Sequence, residues 1–304
     1  VVSALEGGKP RGEPVVVSQR ARISGGVALA RVPRQKGPPD GVLAWVASDD
    51  GIAQVFTTKL DGAGKKLLQK KLTVVDRGKS DQPKSECSAV DIAFAPQALD
   101  GRPGLIAAWI DTRDGDAEVY AARLSPNLEK VGADRRLTKA PGEATEVRLL
   151  VRGKETFVAF VEARDTPGNG DAYVLRVNTA NLDRIGEETR VFASTGATHG
   201  LAFLEGGRDR PLLSWVDDDA LDPRTGAPVP GGAPGGVRIV ELPPQERSRP
   251  LALRHQPITG LDVARAAIEL DDVEQAQHLS LVHRSLPVRY PRPRRRSARA
   301  RGGQ

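Results

Sequence analysis

Methionine is absent from this 304-residue chain, cysteine occurs once, and no apolar run approaches the roughly 18 residues of a membrane-spanning helix. Each absence excludes something. Without Met, even at the start, a processed or truncated chain is expected. The single Cys87 cannot form an internal disulfide, no CxxC or Cys/His cluster offers a metal site, and His255, His278 and His283 are too scattered for one. The first residues, Val1-Val2-Ser3-Ala4-Leu5-Glu6, lack the charged and apolar regions of a signal peptide, so the chain as given is expected to be soluble. A nucleophile elbow, HExxH and a phosphate loop are also missing, and the Gly231 to Gly236 run fits no strand-to-helix pattern.

Basic character is lacking too, although the formal charge of +6 suggests it. Lys and Arg number 45 against 39 Asp and Glu, but eight Arg and no acid fall between Gln275 and Gln304. Subtracting them leaves 37 basic and 39 acidic residues before Gln275, or −2. Nucleic-acid binding is therefore not expected except through the Arg-rich tail, which is interrupted by a single aromatic, Tyr290.

Turn-forming residues are abundant. Gly (32) and Pro (23) together exceed the usual share of roughly 12% by half, which suits many short elements rather than long helices. They punctuate a repeat. Leu43 to Leu60, containing Trp45-Val46-Ala47-Ser48-Asp49-Asp50-Gly51, aligns without a gap, 64 positions on, with Ala107 to Leu124, containing Trp109-Ile110-Asp111-Thr112-Arg113-Asp114-Gly115. A third copy starts at Phe160-Val161-Glu162-Ala163-Arg164-Asp165 and carries the insertion Thr166 to Asn169; a fourth starts at Ser214-Trp215-Val216-Asp217-Asp218 with a longer insertion, Ala220 to Gly236.

Within each copy the short apolar runs read as strands, and Asp114-Gly115 predicts a tight hairpin turn with positive φ at both positions. A further apolar segment precedes each Trp strand (Gly26 to Arg31, Ala89 to Ala95, Glu146 to Val151, Gly200 to Leu204) and a fourth follows, such as Asp134 to Thr138. Four antiparallel strands per unit, repeating every 51 to 64 residues, predict an all-β propeller with at least four blades, near 23–76, 87–139, 143–193 and 197–254. One such sheet cannot bury both faces alone, so the blades must stack, with Trp45, Trp109, Phe160 and Trp215 filling the gaps. An N-terminal segment, 1–22, precedes the blades, and a fifth innermost strand is expected at 257–264; from 265 a weak helix and then a disordered Arg/Pro-rich tail are expected, so that the recognisable units need not close the ring.

The run from Trp109 to Leu124 resembles the repeat of bacterial secreted and lipoprotein β-propellers, in which Trp-x-Asp-x-Arg-x-Gly leads into Val/Ile-Tyr-Ala, and Ser48 to Gly62 is similar to the TolB-type repeat. The resemblance spans roughly 23 to 264. It implies the propeller fold and an extracytoplasmic setting; it implies little about activity, because propellers host unrelated functions.

Asp111, Arg113, Asp114, Glu162, Arg164, Asp165, Asp217, Asp218 and Asp219 are expected on the face formed by the loops between second and third strands, with His199 on an innermost strand near the axis. Two readings compete for them. Paired carboxylates and Arg forks suit a sialidase-like glycosidase or a lyase. Their recurrence in successive units suits turn caps and ion pairs better, since one active site needs no copy in every blade. The sialidase Asp-box is not present, because the glycine of Ser48-Asp49-Asp50-Gly51 and of Thr112-Arg113-Asp114-Gly115 comes one place early. Calcium could sit at Asp217-Asp218-Asp219 or between Asp111 and Asp116, yet no EF-hand spacing supports it and no cofactor is expected. The expectation is a non-enzymatic module of the cell envelope or exterior that presents loops to a protein or glycan, with a glycosidase or lyase as the alternative.

Overall fold

The computed structural model describes residues 2–6, 9–17, 23–49, 51–74, 86–166, 169–194, 196–204, 210–219, 235–242 and 251–253. The fifth strand, the helix and the Arg-rich tail expected after 256 lie outside them. So do 167–168 and 220–234, where the inserted loops fall.

Every regular element described is a strand. A hairpin, β1 (Val2–Glu6) and β2 (Lys9–Val15), precedes four antiparallel sheets of four consecutive strands. Blade 1 holds β3 (Ile23–Val32), β4 (Asp40–Asp49), β5 (Ile52–Leu60) and β6 (Lys66–Lys71); blade 2 holds β7 (Cys87–Leu99), β8 (Arg102–Asp111), β9 (Glu118–Leu124) and β10 (Lys130–Arg136). Blade 3 holds β11 (Glu143–Arg152), β12 (Glu155–Thr166), β13 (Asn169–Asn178) and β14 (Thr189–Phe192); blade 4 holds β15 (Thr198–Leu204), β16 (Leu212–Asp217), β17 (Gly236–Glu241) and β18 (Leu251–Leu253). The all-β propeller predicted from the repeat is thus present.

Stacking explains the sequence pattern. The second strand of a blade is covered on both faces, so β8 is buried without interruption from Gly104 to Asp111 and reads as a continuous apolar run instead of an alternating one. Trp109, Tyr120 and Leu124 of blade 2 pack on Val42, Ala44 and Val46 of blade 1. Phe160 and Tyr173 of blade 3 pack on Ile106, Ala108 and Ile110 of blade 2, and Trp215 and Leu213 of blade 4 on Phe157 and Ala159 of blade 3. The large aromatic of each blade therefore faces its predecessor. Blade 1 has no predecessor among the described blades, and its Trp45 and Leu43 pack instead with Val15 and Val17, at the end of the N-terminal hairpin. That cover stops short of the innermost strand, where Val27 and Leu29 on the same face are 56% and 58% exposed.

The innermost strands run several residues beyond the apolar segments that announce them, because pairing with the second strand continues past those segments. One turn differs from expectation. Positive φ is found at Gly115 but not at Asp114, and six residues separate β8 from β9. The side chain of Asp111 accepts the Arg113 N–H there and Gly115 N–H donates to the Thr112 carbonyl, so the loop is organised by a buried carboxylate instead of two left-handed residues. The Asp-Gly pair with φ of 51° and 83° is Asp100-Gly101, which joins β7 to β8 at the opposite edge of the sheet.

Candidate functional site

The loops between second and third strands gather most of the charged residues singled out from the sequence, and they hold them in the same way from blade to blade. In blade 2, Asp111 is fully buried and accepts five hydrogen bonds: Trp109 Nε1 at 3.2 Å, Arg113 N at 2.9 Å, Arg113 Nε at 2.9 Å, Arg113 Nη2 at 2.5 Å and the Cys87 thiol at 3.7 Å. Arg113 reaches on to Asp134 at 3.0 Å and lies 4.5 Å over the Tyr120 ring. Across the same strand pair Glu118, also buried, accepts Arg136 Nη2 at 2.6 Å, Ala140 N at 3.2 Å and the Thr138 hydroxyl. Asp114 accepts the Tyr120 hydroxyl and Arg136 Nη1.

Blade 3 repeats the arrangement with different residues. Glu162 accepts Arg164 Nε and Nη2 at 3.0 and 2.5 Å, Arg164 lies 4.0 Å over Tyr173, and its third nitrogen pairs with Glu188 at 2.5 Å. Asp171 takes the place of Glu118 and accepts Arg190 and the Ser194 N–H, while the exposed Asp165 pairs with the same Arg190 at 3.1 Å. In blade 4, Asp217 accepts Trp215 Nε1 at 3.1 Å, the Thr198 hydroxyl at 2.8 Å and Arg238 Nε. Carboxylates that accept so many donors are internal fasteners. Asp111, Glu162 and Asp217 are each at most 2% exposed and hold their own blade's loop.

Cysteine chemistry is closed as well. Burial, and then the Asp111 carboxylate, push the Cys87 thiol up to about 12, so it stays protonated and is no nucleophile. Among the described residues no group of three or more His, Cys, Asp or Glu is placed to hold a metal ion.

One accessible pair of titratable groups lies where the innermost strands of neighbouring blades approach one another. His199, at the start of β15, lies with Nε2 3.1 Å from Asp218 Oδ1, and the two side chains are 49% and 57% exposed. The pairing is built by the backbone: the Asp218 N–H donates to the Ala197 carbonyl at 2.9 Å, and Gly196 comes so near that a Cβ would lie 2.0 Å from the Asp218 carbonyl oxygen. Asp219 accepts the Gly235 N–H at 2.6 Å.

Two further acids went unremarked in the sequence because each is a lone carboxylate within a strand. Glu146 of β11 accepts the N–H groups of Gly200 and Leu201 at 2.8 and 3.0 Å, which fixes the residues next to His199. Asp91 of β7 accepts Ile92 N at 2.8 Å and, across the blade boundary, Leu149 N at 2.7 Å. Burial raises the Asp91 carboxyl above its ordinary range against the pull of these donors and of Arg148. The only sequence signal for either was an acid on a segment otherwise read as apolar.

No protein-family model matches the chain, and no curated protein matches it. Similar folds among solved structures include the endo-arabinase from Bacteroides thetaiotaomicron, 14% identical over 72% of this chain and 75% of that one with a TM-score of 0.45. The catalytic domain of the Coprinopsis cinerea GH62 alpha-L-arabinofuranosidase is 11% identical over 79% and 71%, at 0.46. The GH93 alpha-L-arabinofuranosidase of Fusarium graminearum is 12% identical over 70% and 61%, at 0.46. All three are enzymes, which contradicts the expectation of a non-enzymatic binding module, and that expectation is dropped. The physical reason lies in the loops on which binding was placed, whose charged groups are largely spent on one another. What this chain shares with those enzymes is the fold, a β-propeller.

Proposed function

We propose that the chain is a glycan-cleaving propeller, a glycosidase or lyase, whose reacting groups stand at the axial end of blade 4 instead of in the buried Asp/Arg loops. One observation carries this reading: His199, at the start of an innermost strand, and Asp218, just past the end of the second strand, form a hydrogen-bonded, half-exposed pair. Cleavage of a glycan needs a proton given to the glycosidic oxygen as it leaves or, in a lyase, one taken from the neighbouring carbon as the glycosidic oxygen departs, and an imidazole held by a carboxylate can carry such a proton. Asp218 occupies Nε2, which leaves Nδ1 for the substrate. Glu146, with both oxygens accepting backbone N–H groups, acts as a positioning residue. An extracytoplasmic location accords with a polymeric glycan substrate.

The test is release of reducing ends from arabinan, arabino-oligosaccharides and a polyuronate by the full chain. His199→Ala is expected to lower the rate about 10²-fold or more, and Asp218→Asn to lower it less. Failure to cleave any of the three substrates, or cleavage by His199→Ala at the unaltered rate, would sink the proposal.

A further inference from the structure

Glu162 holds in blade 3 the place of Asp111 and Asp217, two residues beyond the large aromatic of the second strand. Those two carboxylates each accept an indole N–H from that aromatic, Trp109 or Trp215. Blade 3 has Phe160 instead, stacked on Tyr173 with ring centroids 5.6 Å apart, and a phenyl ring has no proton to donate. Oε2 of Glu162 is occupied by Arg164; Oε1 is buried and has no partner. A buried carboxylate oxygen without a donor is costly while it carries charge, and adding a proton relieves that cost.

Burial favours the proton first, and the neighbouring acids add to it. Asp171 lies directly opposite on β13, Glu118 faces Glu162 from blade 2, and Glu188 approaches from the segment leading into β14. Against these acids stands Arg164, which Glu162 shares with Glu188; Arg136 and Arg190 are engaged by Glu118 and Asp171. From β11, Ala144 is paired with Glu162 and brings no charge.

We propose that Glu162 is a protonatable joint between blades 2 and 3, which takes up a proton in mildly acidic surroundings and makes the folded propeller more stable there than in neutral or basic ones. Burial first, and then Glu118 and Glu188, raise its carboxyl above the ordinary range despite Arg164. A carboxyl raised in the folded state contributes stability that is complete below the unfolded-state value and is lost as the pH climbs through the folded-state value. The device is independent of any glycan chemistry, because Glu162 is fully buried and touches no substrate.

Thermal unfolding of the full chain between about pH 5 and about pH 8 tests it. Asp91 and Asp171, whose carboxyls burial also raises, slope the same way, so the quantity to read is the difference between variant and parent. Glu162→Gln keeps the shape and removes the charge; it is expected to match the parent at the acidic end and to exceed its Tm by about 2–4 °C at the basic end. Phe160→Trp restores the donor and is expected to flatten the slope likewise. A fall in the Tm of Glu162→Gln at the basic end, or a parental slope in both variants, overturns the proposal; should the larger indole not fit, Glu162→Gln decides alone.

Discussion

Blades 1 and 2 share an ungapped stretch of sequence, yet they fasten their loops differently. Blade 2 joins Trp109, Asp111 and Arg113 in one buried cluster, whereas blade 1 keeps the tryptophan and has Ala47 and Asp49 at the two partner positions. Trp45 Nε1 is consequently buried without a partner. Lys71, at the place of Arg136, pairs with Asp49 at 2.9 Å, and a neutral pair, Thr73 donating to Gln54 at 2.9 Å, replaces the Thr138–Glu118 contact. Blade 3 shows the complementary defect, an acceptor without its indole. The comparison teaches that the aromatic fills space in every blade, while its polar edge is used only where the residue two places on is a carboxylate.

The largest effects should come from the aromatic itself. Trp109→Ala is expected to cost about 3–5 kcal/mol, since it opens a cavity between two blades and strips a donor from Asp111. Trp45→Ala should cost at least about 1 kcal/mol less, because it also removes an orphaned polar group; equal losses in urea unfolding would break the distinction. Next comes the carboxylate. Asp111→Ala should cost about 3 kcal/mol or more by leaving a half-buried Arg113 and a buried indole unpaired.

Rebuilding the cluster sharpens the comparison further. Ala47→Asp alone is expected to destabilise by about 1–3 kcal/mol, placing a buried charge beside Asp49, whereas Ala47→Asp with Asp49→Arg should recover most of that loss. A double-mutant cycle showing no coupling would mean that the loop of blade 1 cannot adopt the geometry of blade 2. The smallest effect belongs to Lys71→Ala, within about 1 kcal/mol because its pair with Asp49 is solvent-exposed, against a larger loss for Arg136→Ala, whose partner Glu118 is buried.

Much of this was legible before any coordinates. Strand type followed from short apolar runs, the presence of at least four blades from the spacing of Trp45, Trp109, Phe160 and Trp215, and the fastening role of the loop charges from their repetition. Even the two defects are written as Trp-x-Ala and Phe-x-Glu beside Trp-x-Asp. Less visible were Glu146 and Asp91, single acids whose partners lie more than 50 residues away in the next blade. His199 stood out only as a lone histidine, because its partner Asp218 belongs to a loop 19 positions later.

The sequence by itself determined the period, the strands and the place of the large aromatic in each blade, since these depend on the order of side chains along one chain segment. Only the tertiary structure decided which carboxylates are spent and which remain open to solvent. That outcome depends on how far each loop is drawn beneath its neighbours and on which N–H groups meet it there, and burial converts the same residue type from an accessible base into a silent fastener.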